Sequence, residues 1–151
     1  MMTVFKQLGV CVAVALLVAG CVGAGKGPSD EELIRMTADN VKAALEAKNL
    51  DLLLSTFAED FEHPEVGGKE EARGMLQMGL DSGYADDGEV SLENMEIKIN
   101  DDGTATVYPV DLSGPPGSIS VELVLGKREI TNADGKKQPA WLITTINADG
   151  I

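Results

Sequence analysis

MEIKINDDGTATVYPVDL, residues 95–112, contains two alternating segments joined by a turn. Every second residue from Met95 to Ile99 is apolar, and the two residues between them are charged. A period of two is typical of a half-buried β-strand. The Asn-Asp-Asp-Gly sequence at 100–103 is a strong hairpin turn signal, and 104–112 then returns as a second strand. These residues therefore predict an antiparallel β-hairpin.

Two further strands are predicted after this hairpin. A Gly- and Pro-rich loop precedes the alternating segment 119–125, and 131–135 supplies a second hairpin turn before a last strand over 141–146. One side of the last strand is expected to carry Trp141, Ile143 and Thr145, and the other Leu142, Thr144 and Ile146. The C-terminal half is thus predicted to be a four-stranded meander.

Three helices are predicted before the strands. Ser29 and Glu32 have the spacing of a capping box, and apolar residues recur at helical spacing from there to about residue 49. A second, short helix follows from residue 51 until the 60–64 run interrupts it, and a third is expected over 69–80. Helices followed by strands indicate an α+β domain, with the helices packed on one face of a curved antiparallel sheet.

The first 20 residues have the pattern of an export signal. Lys6 precedes an uncharged apolar stretch over 8–19, which is shorter than the roughly 20 residues needed to span a bilayer. The boundary sequence Val-Ala-Gly-Cys, ending at Cys21, resembles the lipobox of bacterial lipoproteins. This resemblance implies removal of residues 1–20 and anchoring to a membrane through lipids on Cys21. The alternative is a plain secretory signal followed by an incidental cysteine.

Residues 21–28 are Gly-rich and are predicted to be a flexible tether between the anchor and the domain. Val22 follows the cysteine, where Asp would retain an enteric lipoprotein in the inner membrane. In a Gram-negative host we therefore expect the outer membrane, with the protein facing the periplasm. Cys11 lies in the leader, so the mature chain has no cysteine pair for an internal disulfide.

The chain is acidic, with 25 Asp and Glu against 12 Lys and Arg in 151 residues. Phosphate backbones would repel such a domain, so we expect no nucleic-acid partner. The charge also keeps a surface domain soluble, without any further role. The chain remaining after the leader is long enough for one compact domain and too short for two.

Several segments in a consistent order resemble the NTF2-like (SnoaL-like) superfamily. They are the long first helix, the apolar-then-acidic segment 52–61, His63-Pro64, Gly67-Gly68-Lys69-Glu70 and Trp141-Leu142-Ile143. The resemblance covers about residues 29–147 of the predicted domain, which spans residues 29–151. It implies a cone of three helices wrapped by a bent sheet, with ligands held at the open end, and pairing through the outer sheet face into a homodimer. The alternative is a cystatin-like domain with one main helix.

Three residues are candidates for binding a ligand in such a cone. His63 is the only histidine, and Asp60 or Glu62 could orient it as a general base, although all three could equally face solvent. Tyr108 and Trp141 lie on predicted strands and combine an apolar ring with one hydrogen-bonding group, but each could simply fill the core.

We expect no metal and no cofactor. One histidine and no thiol in the domain leave only carboxylates as ligands, and the acidic loops near residues 81–87 and 101–102 lack the spacing of a calcium-binding EF-hand. The steroid-isomerase branch of the superfamily has a tyrosine oxyanion donor on the first helix, and residues 30–48 contain no tyrosine. The sequence also lacks a Gly-x-Ser-x-Gly nucleophile elbow, a phosphate-binding loop and a dinucleotide-binding motif.

Two functions remain open at this point. The first is a non-catalytic domain at the cell envelope that binds a small apolar ligand or acts as an accessory module. The second is an isomerase- or dehydratase-like enzyme that uses the cone. Since the candidates are scattered single residues rather than a nucleophile, base and oxyanion donor, the sequence favours the first.

Overall fold

The computed structural model describes residues 27–149. The predicted leader, the lipidation site Cys21 and most of the predicted tether lie outside these residues. The elements in chain order are α1 Asp30–Glu46, α2 Leu50–Ser55, β1 Glu62–His63, β2 Gly67–Gly68, α3 Lys69–Asp81, β3 Glu89–Ser91, β4 Glu96–Ile99, β5 Thr104–Gly114, β6 Gly117–Thr131 and β7 Lys137–Asp149. The predicted α+β class with a curved antiparallel sheet is confirmed.

Helix α1 begins at the predicted capping box. The Glu32 N–H donates to Ser29 Oγ at 3.2 Å, and the Ser29 N–H donates to Glu32 Oε2 at 2.6 Å. Two of the N–H groups left without partners at a helix start are thereby satisfied. The buried face of α1 carries Leu33, Ile34, Thr37, Ala38, Val41 and Ala44. This face packs on the sheet, where the Thr37 hydroxyl donates to the Trp141 carbonyl at 2.5 Å.

Two short strands separate α2 from α3, where the sequence predicts only an interruption at 60–64 between the second and third helices. His63 pairs with Gly67 and Glu62 with Gly68 across a tight turn at Pro64. Strands this short carry no readable period, which is why the sequence missed them. Just before them, the 56–58 segment extends the sheet at the edge of β7: the Ala58 N–H donates to the Ile143 carbonyl, and the Ile143 N–H to the Thr56 carbonyl, both at 2.8 Å.

The main sheet has five strands in the order β3-β5-β6-β7, with β4 also paired to β5. Strands β4 to β7 form the predicted four-stranded meander, in which β5, β6 and β7 are longer than expected, and β3 was not predicted. Register shifts interrupt β5 between Val107 and Val110 and the β6–β7 pair at Val124 and Leu125. Such bulges bend a strand and increase its twist, and they account for the curvature.

The hydrophobic core lies between α1 and the concave face of the sheet. Its fully buried side chains include Ile34, Val107, Leu125 and Ile143, each without exposed surface. The whole buried cluster falls between Leu33 and Ile143. A chain that begins at Gly27 therefore contains this core and has what an independently folding domain requires. Within residues 27–149, no helix is long and apolar enough to cross a membrane.

Candidate functional site

Helix α3 covers the open end of the sheet only loosely. Of its residues Ala72 alone is buried, while the side chains of Met75 and Met78 are 53% and 67% exposed. The helix packs against α2 and β2. Gly74 and Gly79 also lower its intrinsic helix stability. Space is therefore left between α3 and the end of β7.

This space is a cavity of about 280 Å³. Eight apolar residues line it, together with one histidine and one glutamate: Phe57, Phe61, Val66, Ala72, Met75, Leu76, Ile146, Ala148, His63 and Glu65. The rings of Phe57 and Phe61 pack with centroids 4.6 Å apart and form one wall. An apolar pocket with very few polar groups suits a small apolar molecule.

His63 is the main polar group of the cavity wall, and its protonation pattern follows from one hydrogen bond. The Glu65 N–H donates to His63 Nδ1 at 3.2 Å. Because Nδ1 accepts this bond, the neutral ring carries its proton on Nε2. A histidine that acts as a general base in a triad instead donates its Nδ1–H to a carboxylate. With this tautomer, Nε2 of the neutral His63 ring is a hydrogen-bond donor.

The carboxylates that the sequence suggested as partners of His63 lie elsewhere. Asp60 accepts two hydrogen bonds from Arg128, from Nε at 3.1 Å and from Nη2 at 2.8 Å. The Arg128 hydrogen bonds hold the pKa of Asp60 below its usual value, and the same contact raises the pKa of Arg128. Glu62 is exposed, and neighbouring residues of a strand point to opposite faces, so its side chain points away from His63.

Trp141 is a core residue at the far end of the sheet from α3. Its side chain is 3% exposed, and its Nε1–H donates to Asp30 Oδ1 at 3.0 Å. Lys127 Nζ donates to the same oxygen at 2.7 Å. The bond from Lys127, and then that from Trp141, lowers the pKa of Asp30. Trp141 therefore ties the start of α1 to β6 and β7, and it is not among the residues that line the His63 cavity.

Tyr108 lies on the opposite face of the sheet from the core. Val107 is fully buried and Tyr108, the next residue of β5, is 39% exposed. It stands opposite Glu96 of β4, beside the bulge in β5, and the Tyr108–Pro109 peptide is cis. The structure therefore does not bring His63, Tyr108 and Trp141 together, and His63 alone of the three lines the cavity.

The prediction of which β7 side chains lie on each face of the sheet is wrong beyond Ile143. Leu125 pairs with Ile143 and Val124 with Thr145, so Thr144 is an extra residue on β7. This bulge reverses the alternation, and Ile146 joins Ile143 on the concave side, where it lines the cavity. The sequence contained the apolar residues of this wall, Ile146 and Ala148, but no signal for the bulge that directs them inward.

Acidic residues are abundant without forming a metal site. Among residues 27–149, no group of three or more His, Cys, Asp or Glu side chains is placed to hold a metal ion. Asp102, in the first hairpin turn, instead accepts hydrogen bonds from the hydroxyl and the N–H of Thr104, which lower its pKa. Such a contact is typical of a turn residue.

No protein-family model and no curated protein sequence matches the chain. Solved structures do match it. An NTF-2 like protein of unknown function from Shewanella oneidensis is 14% identical, over 80% of this chain and 98% of its own, with a TM-score of 0.55. The chain therefore shares the fold of this NTF-2 like protein.

Two proteins described as having a cystatin-like fold are also similar to this chain. One, of unknown function, is from Nostoc punctiforme (20% identity, 82% of this chain and 93% of that one, TM-score 0.58). The other, uncharacterized, is from Caulobacter vibrioides (15% identity, 78% and 87%, TM-score 0.59). The alternative weighed from the sequence had one main helix, whereas α1 and α3 are both long helices here. At these identities the likeness is one of fold.

Proposed function

We propose that this protein is a lipid-anchored lipoprotein of the cell envelope whose NTF2-like domain binds a small apolar ligand without transforming it. The observation that carries the binding role is the cavity between α3 and β7, with eight apolar residues around His63. Its volume of about 280 Å³ is close to the lower end of the range of small-molecule sites, roughly 300 Å³. The ligand gains affinity from apolar burial and orientation from one hydrogen bond.

The non-catalytic role is supported by the surroundings of His63. Its Nδ1 accepts the Glu65 N–H, and Asp60 is engaged by Arg128. A base would need a carboxylate on that nitrogen. We assign His63 the role of a donor to the ligand. In His63→Phe we expect affinity to fall by about threefold to tenfold, the equivalent of one net hydrogen bond.

Adjacent residues of β7 provide the test of the binding site. Ala148 lines the cavity, whereas the Asn147 side chain donates to Glu122 on the opposite face of the sheet. We expect the neutral fluorophore N-phenylnaphthylamine to brighten on binding to the domain. Ala148→Trp should weaken this binding by about tenfold or more, roughly 1.4 kcal/mol, and the matched variant Asn147→Trp should leave it unchanged. Equal binding by the two variants would rule out this cavity as the site.

The anchor is supported by the sequence before the domain. The lipobox-like residues end at Cys21, and the tether leads to the capping box at Ser29. We expect labelled palmitate to enter the wild-type protein and Cys11→Ala, because Cys11 is discarded with the leader. Cys21→Ala should remain uncleaved and unlabelled. Labelling of Cys21→Ala at the wild-type level would contradict the anchor while leaving the ligand site untouched.

The final membrane is a further part of the proposal. Val22 follows the lipidated cysteine, and by the enteric sorting rule this residue favours the outer membrane of a Gram-negative host. Fractionation of membranes should recover the wild-type protein with the outer membrane and Val22→Asp with the inner one. Recovery of both in the same fraction would refute the sorting assignment.

A further inference from the structure

Two further cavities lie next to the His63 cavity along α3. Met75 and Leu76 line both the His63 cavity and a second cavity of about 430 Å³. Leu45, Tyr84 and Ala85 line both this second cavity and a third one of about 190 Å³. The shared residues place the three cavities side by side in a row along α3, which we call the α3 groove, from His63 at one end to Ile119 and Gly117 at the other.

The groove is long and narrow. Its lining follows α3 from Ala72 to Ser82, and a helix rises about 1.5 Å per residue, so this part alone is roughly 15 Å long. A fully extended aliphatic chain of about a dozen carbons has this length, given carbon–carbon bonds of about 1.5 Å. A compact polycyclic molecule would fill one cavity and leave the others to water.

The walls suit a flexible chain. The second cavity is lined by apolar residues such as Leu53 and Leu80 and by two methionines, Met75 and Met78. Methionine side chains are unbranched and adapt to ligands of varied shape. Both are more than half exposed, and so is Tyr84, at 61%. Burial under a bound chain would remove this apolar surface from water.

The ends of the groove disfavour an anion. Glu65 lines the His63 end, and Glu89 lines the third cavity. Nearby cations are held by carboxylates: Lys48 pairs with Asp86, and Arg73 Nη1 lies 3.3 Å from Asp51 Oδ1. An anionic head group would be repelled at either end, whereas a neutral or cationic head would be accepted.

We infer that the α3 groove binds a linear aliphatic amphiphile with an uncharged head group that accepts a hydrogen bond from His63. This inference rests on the proposed function, since it names the ligand class of the same site. The head lies at the His63 end, and the chain runs beneath Met75 and Leu76 toward Tyr84. Each methylene buried in the groove strengthens binding.

Two glycines of α3 offer a matched pair of variants. A Cβ added at Gly79, which lines the second cavity, would make only an ordinary van der Waals contact, with Tyr84 Cδ2 at 3.7 Å, and we expect the rest of the leucine side chain of Gly79→Leu to occupy the groove. A Cβ at Gly74 has nothing within 4 Å, so Gly74→Leu faces solvent. Both variants remove a helical glycine, and thermal unfolding should show both folded.

The experiment is calorimetric titration of the domain that begins at Gly27 with alkyl glucosides, whose uncharged heads can accept a hydrogen bond from His63, below their micelle concentrations. From about six to about twelve carbons, affinity should rise by up to fourfold per methylene. Alkyl sulfates of the same length should bind at least about tenfold more weakly. Gly79→Leu should abolish the gain from the longer chains and keep the affinity for the shortest, while Gly74→Leu should behave as wild type.

The outcomes separate this inference from the proposed function. If N-phenylnaphthylamine binds at the His63 cavity but affinity does not grow with chain length, or Gly79→Leu has no effect, the linear-ligand inference fails and the binding role stands. If alkyl sulfates bind best, the charge assignment fails. If neither the fluorophore nor any amphiphile binds, both proposals fail.

Discussion

Replacing Thr37 with valine tests how α1 is joined to the sheet. Thr37 is 7% exposed, and its hydroxyl donates to the Trp141 carbonyl at 2.5 Å, with the Leu33 carbonyl at 3.2 Å. Valine has nearly the same shape and helix propensity but no hydroxyl. The substitution therefore isolates the hydrogen bond between helix and strand.

The magnitude follows from burial. A net hydrogen bond contributes about 0.5–1.5 kcal/mol, and a buried acceptor left without its donor costs about 1–3 kcal/mol. The new methyl group is buried and so recovers part of this free energy. We therefore expect the free energy of unfolding to fall by about 1–2 kcal/mol. For a domain of about 120 residues, 1 kcal/mol corresponds to roughly 4 °C in Tm, so Tm should fall by about 4–8 °C.

The assay is thermal and urea unfolding of the domain followed by circular dichroism. Thr144→Val is the matched control, because the Thr144 hydroxyl makes a longer bond, 3.2 Å to the Val124 carbonyl, at a half-buried site of β7. There we expect a change within about 0.5 kcal/mol. Wild-type stability in Thr37→Val would refute the argument that this bond fixes α1 on the concave face.

Three further predictions concern stability. Ile143→Ala removes a side chain with no exposed surface and should cost about 2–5 kcal/mol in urea unfolding; a smaller loss would mean that the core refills the space. Arg128 lowers the pKa of Asp60, so this carboxylate contributes stability above its unfolded pKa, 3.8, which is lost as pH falls through the lower folded value. Asp60→Asn should therefore flatten the fall of Tm below about pH 4, and an unchanged slope would contradict the pairing. Gly74→Ala, at an exposed helical position, should raise stability by about 0.5–1 kcal/mol in the same unfolding assay, whereas a loss would show that α3 needs the glycine.

Most of the secondary structure could be predicted because its signals are local. The capping box at Ser29 lies within four residues, and the turn at 100–103 lies between two segments of period two. The short pair β1 and β2 was missed, since two residues carry no period and the pair depends on the turn at Pro64. Strand β3 was missed for the same reason, because three residues gain their strand geometry only by pairing with β5.

The candidate site was predicted only in part. His63 does line a cavity, but a carboxylate near it in sequence, Asp60, contacts Arg128 of a distant strand instead. Trp141 lies in the core and Tyr108 on the outer face, because strand alternation separates the two faces by the thickness of the sheet. No sequence pattern predicts the groove along α3, because the groove is the space that this loosely packed helix leaves uncovered.

The sequence by itself determined the α+β class, the order of the long elements, the start of α1 and the lipobox-like pattern before Cys21. These depend on periods and spacings within a few residues of one another. The tertiary structure alone decided that Ile146 faces inward, that His63 Nδ1 accepts the Glu65 N–H, and that apolar cavities lie along α3. Each of these depends on one extra residue in a strand pair or on contacts between distant segments, which the local pattern of a chain does not record.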